Sequence, residues 1–109
     1  MKIKPSKKRD IELWAAISKS ISSVSYFFLP HCRMRLADRA ITDIDVLDIL
    51  ENKLGRGRRR NKSKDSYLVG YEDWNYCIEG KDIDKKKIRI IISFRADQMM
   101  FITVIRLES

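Results

Sequence analysis

Three polar side chains that could handle a phosphate group recur every fourth residue: His31, Arg35 and Arg39. They follow Pro30, which suits the first turn of a helix, so the spacing places all three on one helical face. An imidazole exchanges protons near neutral pH, and a guanidinium holds two phosphate oxygens in a fork. These groups predict one surface that faces a phosphate, where the imidazole could transfer a proton and the guanidinium groups could bind oxygens.

Each member of this group also has a purely structural interpretation. A histidine at the start of a helix is often a capping or packing residue. The two arginines could be paired with Asp38, Asp43 or Asp45 and simply face solvent. The shared spacing, next to a strongly basic segment, favours one phosphate-facing surface.

That basic segment, here called the basic ribbon, covers residues 53–64, where seven residues are basic and none is acidic. Its members are Lys53, Arg56, Arg58, Arg59, Arg60, Lys62 and Lys64. Like charges at this density repel one another, and a bound polyanion would relieve the repulsion. The alternative is a solvated, mobile loop. The ribbon therefore extends the predicted phosphate surface.

The whole chain has the same excess of positive charge. It has 109 residues, with 23 Lys and Arg against 15 Asp and Glu, and a net charge of +8 is typical of a nucleic-acid binder. A basic protein without a polyanionic partner is the alternative.

The apolar runs of the chain are shorter than the roughly 20 residues of a membrane span. No uninterrupted apolar segment follows the N-terminal lysines, so the sequence predicts a cytoplasmic protein.

Few residues suit a metal or a cofactor. The chain has one histidine and two cysteines, Cys32 and Cys77, which are far apart in sequence. We therefore expect reduced, structural thiols, no metal and no cofactor. The sequence has no glycine-rich phosphate loop, acidic dyad or Ser-His-Asp order, which argues against the hydrolase, kinase and redox chemistries that use them.

Apolar residues at helical spacing predict about three helices in the first half of the chain. The helices are expected at residues 6–24, 30–40 and about 42–52. Thr42 and Asp45 resemble a capping box at the start of the third. Beyond the basic ribbon the period changes to two, which predicts strands at residues 66–71, 74–79, 87–95 and 99–107. We expect the last three strands to form an antiparallel meander.

These elements predict an α+β protein in which about three N-terminal helices pack on a C-terminal antiparallel sheet of about four strands. Residues 1–25 are expected to form an amphipathic helical extension and residues 26–109 the main domain, in one globular unit. The extension is either a helix that packs on the sheet or an arm that binds a partner.

Residues 31–46 read HCRMRLADRAITDIDV, which matches the pattern H-x-x-x-R-[ML]-x-x-R-[GA]-I-[ST]-x-x-D-V, and the last strand contains Phe-Ile-Thr-Val at residues 101–104. Over about residues 28–107 the chain resembles the MqsR and BrnT toxins and, more loosely, the RelE-like ribonuclease toxins. It departs from the pattern in its long N-terminal extension and in Ala40, where glycine is common. The extension leaves the oligomeric state open, and a homodimer through its helix is one alternative.

The resemblance implies a RelE-like fold and an endoribonuclease toxin of a bacterial type II toxin–antitoxin system. Such a toxin acts on messenger RNA, with or without the ribosome, and a cognate antitoxin neutralises it. The residues expected to be catalytic are His31, Arg35, Arg39, Lys62 and Tyr76. Those expected to bind RNA are Arg56, Arg58, Arg59, Arg60, Lys64 and Arg89. The alternatives are a nucleic-acid-binding regulatory module without catalysis and a protein with an acidic protein partner.

Overall fold

The computed structural model describes residues 4–53 and 55–107. The helices are α1 (Asp10–Ser22), α2 (Pro30–Asp38) and α3 (Asp43–Leu50), the strands are β1 (Tyr26–Phe28), β2 (Arg59–Arg60), β3 (Tyr76–Lys81), β4 (Lys87–Arg95) and β5 (Gln98–Arg106), and a 3-10 turn covers Lys62–Lys64. The predicted α+β architecture, with N-terminal helices packed on a C-terminal sheet, is confirmed. Within these residues no helix has the length and apolar character that a membrane crossing requires.

The five strands form one sheet in the order β1-β5-β4-β3-β2. β3, β4 and β5 pair antiparallel, which confirms the predicted meander. Between β4 and β5 the chain turns at Ala96 and Asp97, whose φ angles of 50° and 64° suit a tight hairpin turn that follows the twist of the strands. β1 pairs in parallel with β5, so the sheet is mixed rather than purely antiparallel.

The prediction of a strand at residues 66–71 is wrong. This segment contributes only an isolated bridge between Ser66 and Asn75. β2 occupies the edge of β3 at Ile78 and Glu79, and the chain turns at Gly70, whose φ is 98°, so the bridge at Ser66 does not continue as a strand. β1 and β2 were not expected from the sequence, because two or three residues are too few to display a period of two.

The helices cover one face of the sheet and close the core. β4 contributes its alternate residues Ile88, Ile90 and Ile92, which are fully buried. α1 contributes Leu13 and Ile17, which are equally buried in the same cluster. α2 packs on β5, and α3 packs on β3. Of the two alternatives for the N-terminal extension, the structure therefore has the helix packed into the core.

α3 begins with the predicted capping box. The backbone N–H of Asp45 donates to Thr42 Oγ1 at 3.1 Å, and the Thr42 hydroxyl donates to the Asp45 carboxylate at 3.0 Å. These bonds satisfy donors that the first turn of a helix otherwise leaves free. The helix ends at Leu50, and Asn52 follows with a φ of 58°, which turns the chain towards the basic ribbon.

No described helix covers the opposite face of the sheet. Its side chains include Glu79, Arg89 and Ile105, which alternate with core residues along β3, β4 and β5. The segment of residues 61–75 closes one end of this face, where Ser93 is buried and hydrogen-bonded to that segment. The other end remains open and forms the groove described below.

Candidate nucleic-acid interface

α2 is fixed to the sheet at its start and along one side. The N–H of Leu29, just before the helix, donates to the Phe101 carbonyl at 3.1 Å. Pro30 then occupies the first helical position, where its missing N–H costs nothing. Cys32 and Leu36 are buried in the core. The anchored helix therefore has one defined orientation relative to β5.

The second half of β5 is an edge of the sheet beside the end of α2. β1 pairs only with residues 99–101 of β5. Further along β5, Arg39 donates from Nη1 to the Val104 carbonyl at 2.6 Å. Arg106 in turn donates to the carbonyls of Arg39 and Ala40 at 3.1 and 3.0 Å, which satisfies the end of the helix. The sheet edge thus holds Arg39 in a half-buried position.

His31, Arg35 and Arg39 meet over this edge, as their spacing predicts. Together with Cys32 and residues 102–104 they line a shallow cavity of about 50 Å³, here called the His31 cavity. A water molecule occupies about 30 Å³ in the liquid, so the cavity accommodates one phosphate oxygen but not a nucleotide. His31 is exposed at the surface. A larger ligand would therefore lie across the mouth of the cavity.

Two of the three aspartates that could neutralise these arginines, Asp43 and Asp45, have other partners. Asp43 accepts two hydrogen bonds from Arg33, at 2.8 and 2.7 Å, and Asp45 caps α3. Arg35 lies 3.9 Å from Asp38, and 49% and 68% of the two side chains are exposed. An ion pair that is both long and exposed contributes little to the stability of the fold. The charge of Arg35 therefore remains available to a ligand.

Two arginines of the basic ribbon that are expected to bind RNA are held by contacts within the fold. Arg56 pairs with Asp48 at 3.0 Å, and only 12% of its side chain is exposed. Arg58 donates to the Leu50 carbonyl at 2.9 Å and lies 4.0 Å from the centre of the Trp14 ring. Arg58 therefore joins the end of α3 to α1, and both guanidinium groups have partners within the protein.

Arg60 is also structural, and Lys62 lies away from the His31 cavity. Arg60 pairs with Asp65 at 2.9 Å and with Asp10 at 2.8 Å, and 3% of its side chain is exposed. Lys62 shares Asp10 at 3.2 Å, and its hydrogen bond lowers the pKa of that carboxyl. Lys62 follows β2, whereas the cavity lies by β5; these strands are three positions apart, roughly 14 Å. Lys64 is exposed.

Tyr76 is buried, which corrects its assignment to catalysis. Its side chain is inaccessible to solvent, and its hydroxyl donates to Asp73 at 2.6 Å and accepts from the N–H of Lys8 at 2.9 Å. Burial, together with the hydrogen bond to Asp73, raises the pKa of the phenol. Tyr76 therefore ties the N-terminal segment to β3 and does not reach a ligand.

A second group of charged residues lies on the open face of the sheet. Arg59, Glu79 and Arg89 stand side by side on β2, β3 and β4. Arg59 donates to Glu79 at 2.7 Å, and Arg89 donates to the other carboxylate oxygen at 3.0 Å. They line a groove of about 570 Å³, here called the sheet groove, whose lining also includes Asn61, Lys81 and Lys87. The structure thus brings together two residues expected to bind RNA.

Glu79 is a central residue that the sequence pattern does not single out. Only 10% of its side chain is exposed, and it accepts a further hydrogen bond from Asn61 at 3.0 Å. Burial raises the pKa of Glu79, but the hydrogen bonds from Asn61 and Arg89 and the charge of Arg59 outweigh it and hold the pKa below its usual range. Sequence reasoning could have found Glu79 as the one acidic residue of β3, at a position that alternates with the core residues of the strand.

The cysteines are buried and free. Burial, with the negative charge of Glu79, raises the pKa of Cys77 to about 11, so its thiol is protonated at neutral pH. Burial also raises the pKa of Cys32. In residues 4–53 and 55–107 no group of three His, Cys, Asp or Glu side chains is arranged to hold a metal ion.

Comparison with known proteins places these features in one family. A protein-family model described as a domain of unknown function, DUF4258, matches residues 28–106. The match runs from the end of β1 to the end of β5, so it includes the His31 cavity, the basic ribbon and the sheet groove, and it leaves α1 outside. No curated protein and no solved structure matches the chain significantly.

Proposed function

This chain belongs to the DUF4258 family, and from that premise we propose that it binds RNA and cleaves it without a metal ion, as the toxin of a bacterial type II toxin–antitoxin system. The observation that supports the proposal is the grouping of His31, Arg35 and Arg39 around one cavity at the edge of β5. A proton-exchanging side chain beside two guanidinium groups supplies the base and the cations that phosphodiester cleavage needs, and water can supply the acid.

In the proposed reaction, His31 removes the proton of a 2′-hydroxyl. The 2′-oxygen then attacks the adjacent phosphorus, the bond from phosphorus to the 5′-oxygen breaks, and the leaving oxygen takes a proton from water. The products are a 2′,3′-cyclic phosphate and a 5′-hydroxyl. Arg35 stabilises the negative charge that develops on the phosphorane, and Arg39 adds positive charge from its fixed position on the sheet edge.

The test is cleavage of labelled single-stranded RNA in EDTA, both as free RNA and as messenger RNA bound to ribosomes. We compare the wild-type protein with its His31→Ala and Arg35→Ala variants and resolve the products on a gel. The proposal predicts that the wild type cuts at least one of the two substrates. The His31 variant should be slower by about 10²–10⁴-fold, the usual contribution of a general acid–base group.

Arg33→Ala is the matched control, because Arg33 lies on the same helix but is held by Asp43 and stacked on Phe28. It should cut at a rate close to that of the wild type. If the wild type leaves both substrates whole, or if the His31 variant cuts as fast as the wild type, the proposal is wrong.

A non-catalytic nucleic-acid-binding module is the second candidate, and one observation favours it. Tyr76 is buried and Lys62 lies across the sheet, so neither adds a second proton donor to the His31 cavity. Salt-dependent RNA binding by a protein that leaves both substrates whole would identify such a module.

The toxin proposal also implies a protein partner. A cognate antitoxin would have to cover the mouth of the His31 cavity and carry acidic groups for Arg35. Neutralisation can be tested by adding the product of an adjacent small gene to the cleavage assay. Loss of cutting in a stoichiometric complex is the expected result.

A further inference from the structure

The sheet groove contains more positive charge than its own carboxylate can balance. Four cationic side chains line it, Arg59, Lys81, Lys87 and Arg89, against the single carboxylate of Glu79. The side chain of Arg59 is 64% exposed despite its ion pair, whereas that of Glu79 is 10% exposed. The groove thus presents exposed cations, Arg59, Lys81 and Lys87, above a nearly buried anion.

We propose that the sheet groove is a second phosphate subsite, in which a phosphodiester of single-stranded RNA replaces the Glu79 carboxylate as the partner of Arg59. The inference rests on the proposed function, because it assigns the groove to the same RNA strand that reaches the His31 cavity. In the free protein Glu79 acts as an internal substitute for that phosphate.

The hydrogen bonds of Glu79 make this exchange possible. Arg59 binds one carboxylate oxygen, while Asn61 and Arg89 bind the other, so Glu79 keeps two donors when Arg59 leaves. The released guanidinium can hold two oxygens of a phosphate in fork geometry. Lys81 and Lys87 lie opposite each other on β3 and β4 and add positive charge at the open end.

The register of the sheet connects the groove to the His31 cavity. The row that begins at Arg59 and passes through Glu79 and Arg89 ends at Ile105 on β5. The cavity is lined by residues 102–104 of that same strand. Neighbouring strands lie about 4.8 Å apart, so β4 and the edge of the sheet are separated by a distance that a few nucleotides span.

The half-buried aliphatic surface between the two regions suits the rest of the RNA. Ile91 and Ile105 lie on the same face as Arg89 and are partly exposed. Ribose and base can contact this surface while their phosphates pair with the flanking cations. The groove therefore fits a flexible nucleic acid strand better than a small free anion.

The experiment measures binding separately from cleavage. Fluorescence anisotropy with a 2′-O-methyl RNA oligonucleotide, which cannot react through its 2′-oxygen, gives the dissociation constant at several NaCl concentrations. Arg59→Ala and Lys87→Ala should each weaken binding about three- to tenfold near 0.1 M salt, and each should lower the salt slope by about 0.7, as expected for one lost phosphate contact to a single strand.

Lys19→Ala is the matched control, because it removes one exposed charge on α1, away from the groove. It should change the dissociation constant less than twofold. Glu79→Gln should tighten binding about threefold, because it removes the negative charge that competes with the phosphate for Arg59. Thermal unfolding checks that each variant is folded. The proposal is wrong if Arg59→Ala and Lys87→Ala weaken binding no more than Lys19→Ala, or if folded Glu79→Gln binds more weakly than the wild type.

Two further outcomes separate this inference from the proposed function. If the wild type binds through Arg59 but does not cut unmodified RNA, the cleavage proposal is wrong and the groove remains a nucleic acid site. If the wild type cuts but Arg59→Ala has no effect on binding, only the subsite is refuted. Equal competition by polyglutamate would indicate an acidic protein as the occupant and overturn the RNA assignment.

Discussion

The basic ribbon and the His31 cavity contain the same kinds of side chain, but the structure uses them differently. In the ribbon, Arg56 and Arg60 are nearly covered and paired with aspartates. In the cavity, Arg35 has one long contact with an exposed aspartate, and His31 is exposed. The density of charge in the sequence therefore does not measure its availability in the folded protein, because the ribbon mixes such structural arginines with exposed cations such as Arg59 and Lys64.

The difference shows where neutralising acids come from. The ribbon has no acidic residue of its own, but Asp10, Asp48 and Asp65 reach it from α1, α3 and the loop that follows β2. A local count of charge misses such partners, because they approach only when the chain folds. Of the following predictions, Arg60→Ala and Lys64→Ala test this contrast between structural and available cations, and the other two test a carboxylate and a turn that shape the two regions. They run from the largest expected effect to the smallest.

Arg60→Ala should lower the free energy of unfolding by about 3 kcal/mol, because it leaves the fully buried carboxylate of Asp65 without its guanidinium partner. Urea denaturation followed by circular dichroism measures the change. The cavity side chain Arg35, replaced by alanine in parallel, should change stability by less than about 0.5 kcal/mol. Equal losses for the two variants would contradict the division between the two regions.

Acid should weaken the structural carboxylates of the sheet face. The pKa of Glu79 is lower in the folded protein than in the unfolded chain, so its contribution to stability is complete above the unfolded value of about 4.3. That contribution is lost as the pH falls through the lower, folded pKa. Glu79→Gln should therefore flatten the fall in unfolding free energy between about pH 5 and pH 2. An unchanged pH profile would show that Glu79 is not stabilised as a carboxylate.

Ala40→Gly should stabilise the protein by about 0.5 kcal/mol. Ala40 ends the α2 segment with a φ of 53°, a left-handed conformation that costs a residue with a side chain roughly 1–2 kcal/mol and glycine much less. Ala37→Gly is the control, because Ala37 lies within the helix, where glycine should cost about 1 kcal/mol. Thermal unfolding should move the two midpoints in opposite directions.

Lys64→Ala should produce the smallest effect. Lys64 is an exposed residue of the 3-10 turn, so its loss should change the free energy of unfolding by less than about 0.5 kcal/mol. If it belongs to the available charge, RNA binding should weaken about twofold at low salt and remain unchanged at high salt. A loss of stability like that of Arg60→Ala would place Lys64 among the structural cations.

The parts that the sequence predicts are those with long, regular patterns. The period of two along β4 and β5 and the capping box of Thr42 and Asp45 both identify their elements correctly. The grouping of His31 with Arg35 follows from helical spacing alone. β1 is missed because its stability comes from pairing with distant residues of β5, not from its own three residues.

The predictions that fail concern residues whose surroundings depend on contacts between distant segments of the chain. Tyr76 lies in a strand of alternating residues, but only the fold shows that its side chain points into the core and bonds to Asp73. Lys62 looks close to the other cations until the strand order places it across the sheet. The Arg59–Glu79–Arg89 row is invisible in the sequence because its members come from three strands.

The parallel pairing of β1 with β5 has a consequence for the timing of folding. Tyr26 pairs with Met99, and the His31 cavity takes one wall from α2 and the other from residues 102–104. During synthesis, the chain must leave the ribosome as far as residue 104 before these walls can meet, and contacts of such long range form slowly. The nascent chain on the ribosome therefore has an incomplete His31 cavity until β5 emerges. A nascent chain of the proposed toxin would be inactive towards the ribosome that produces it.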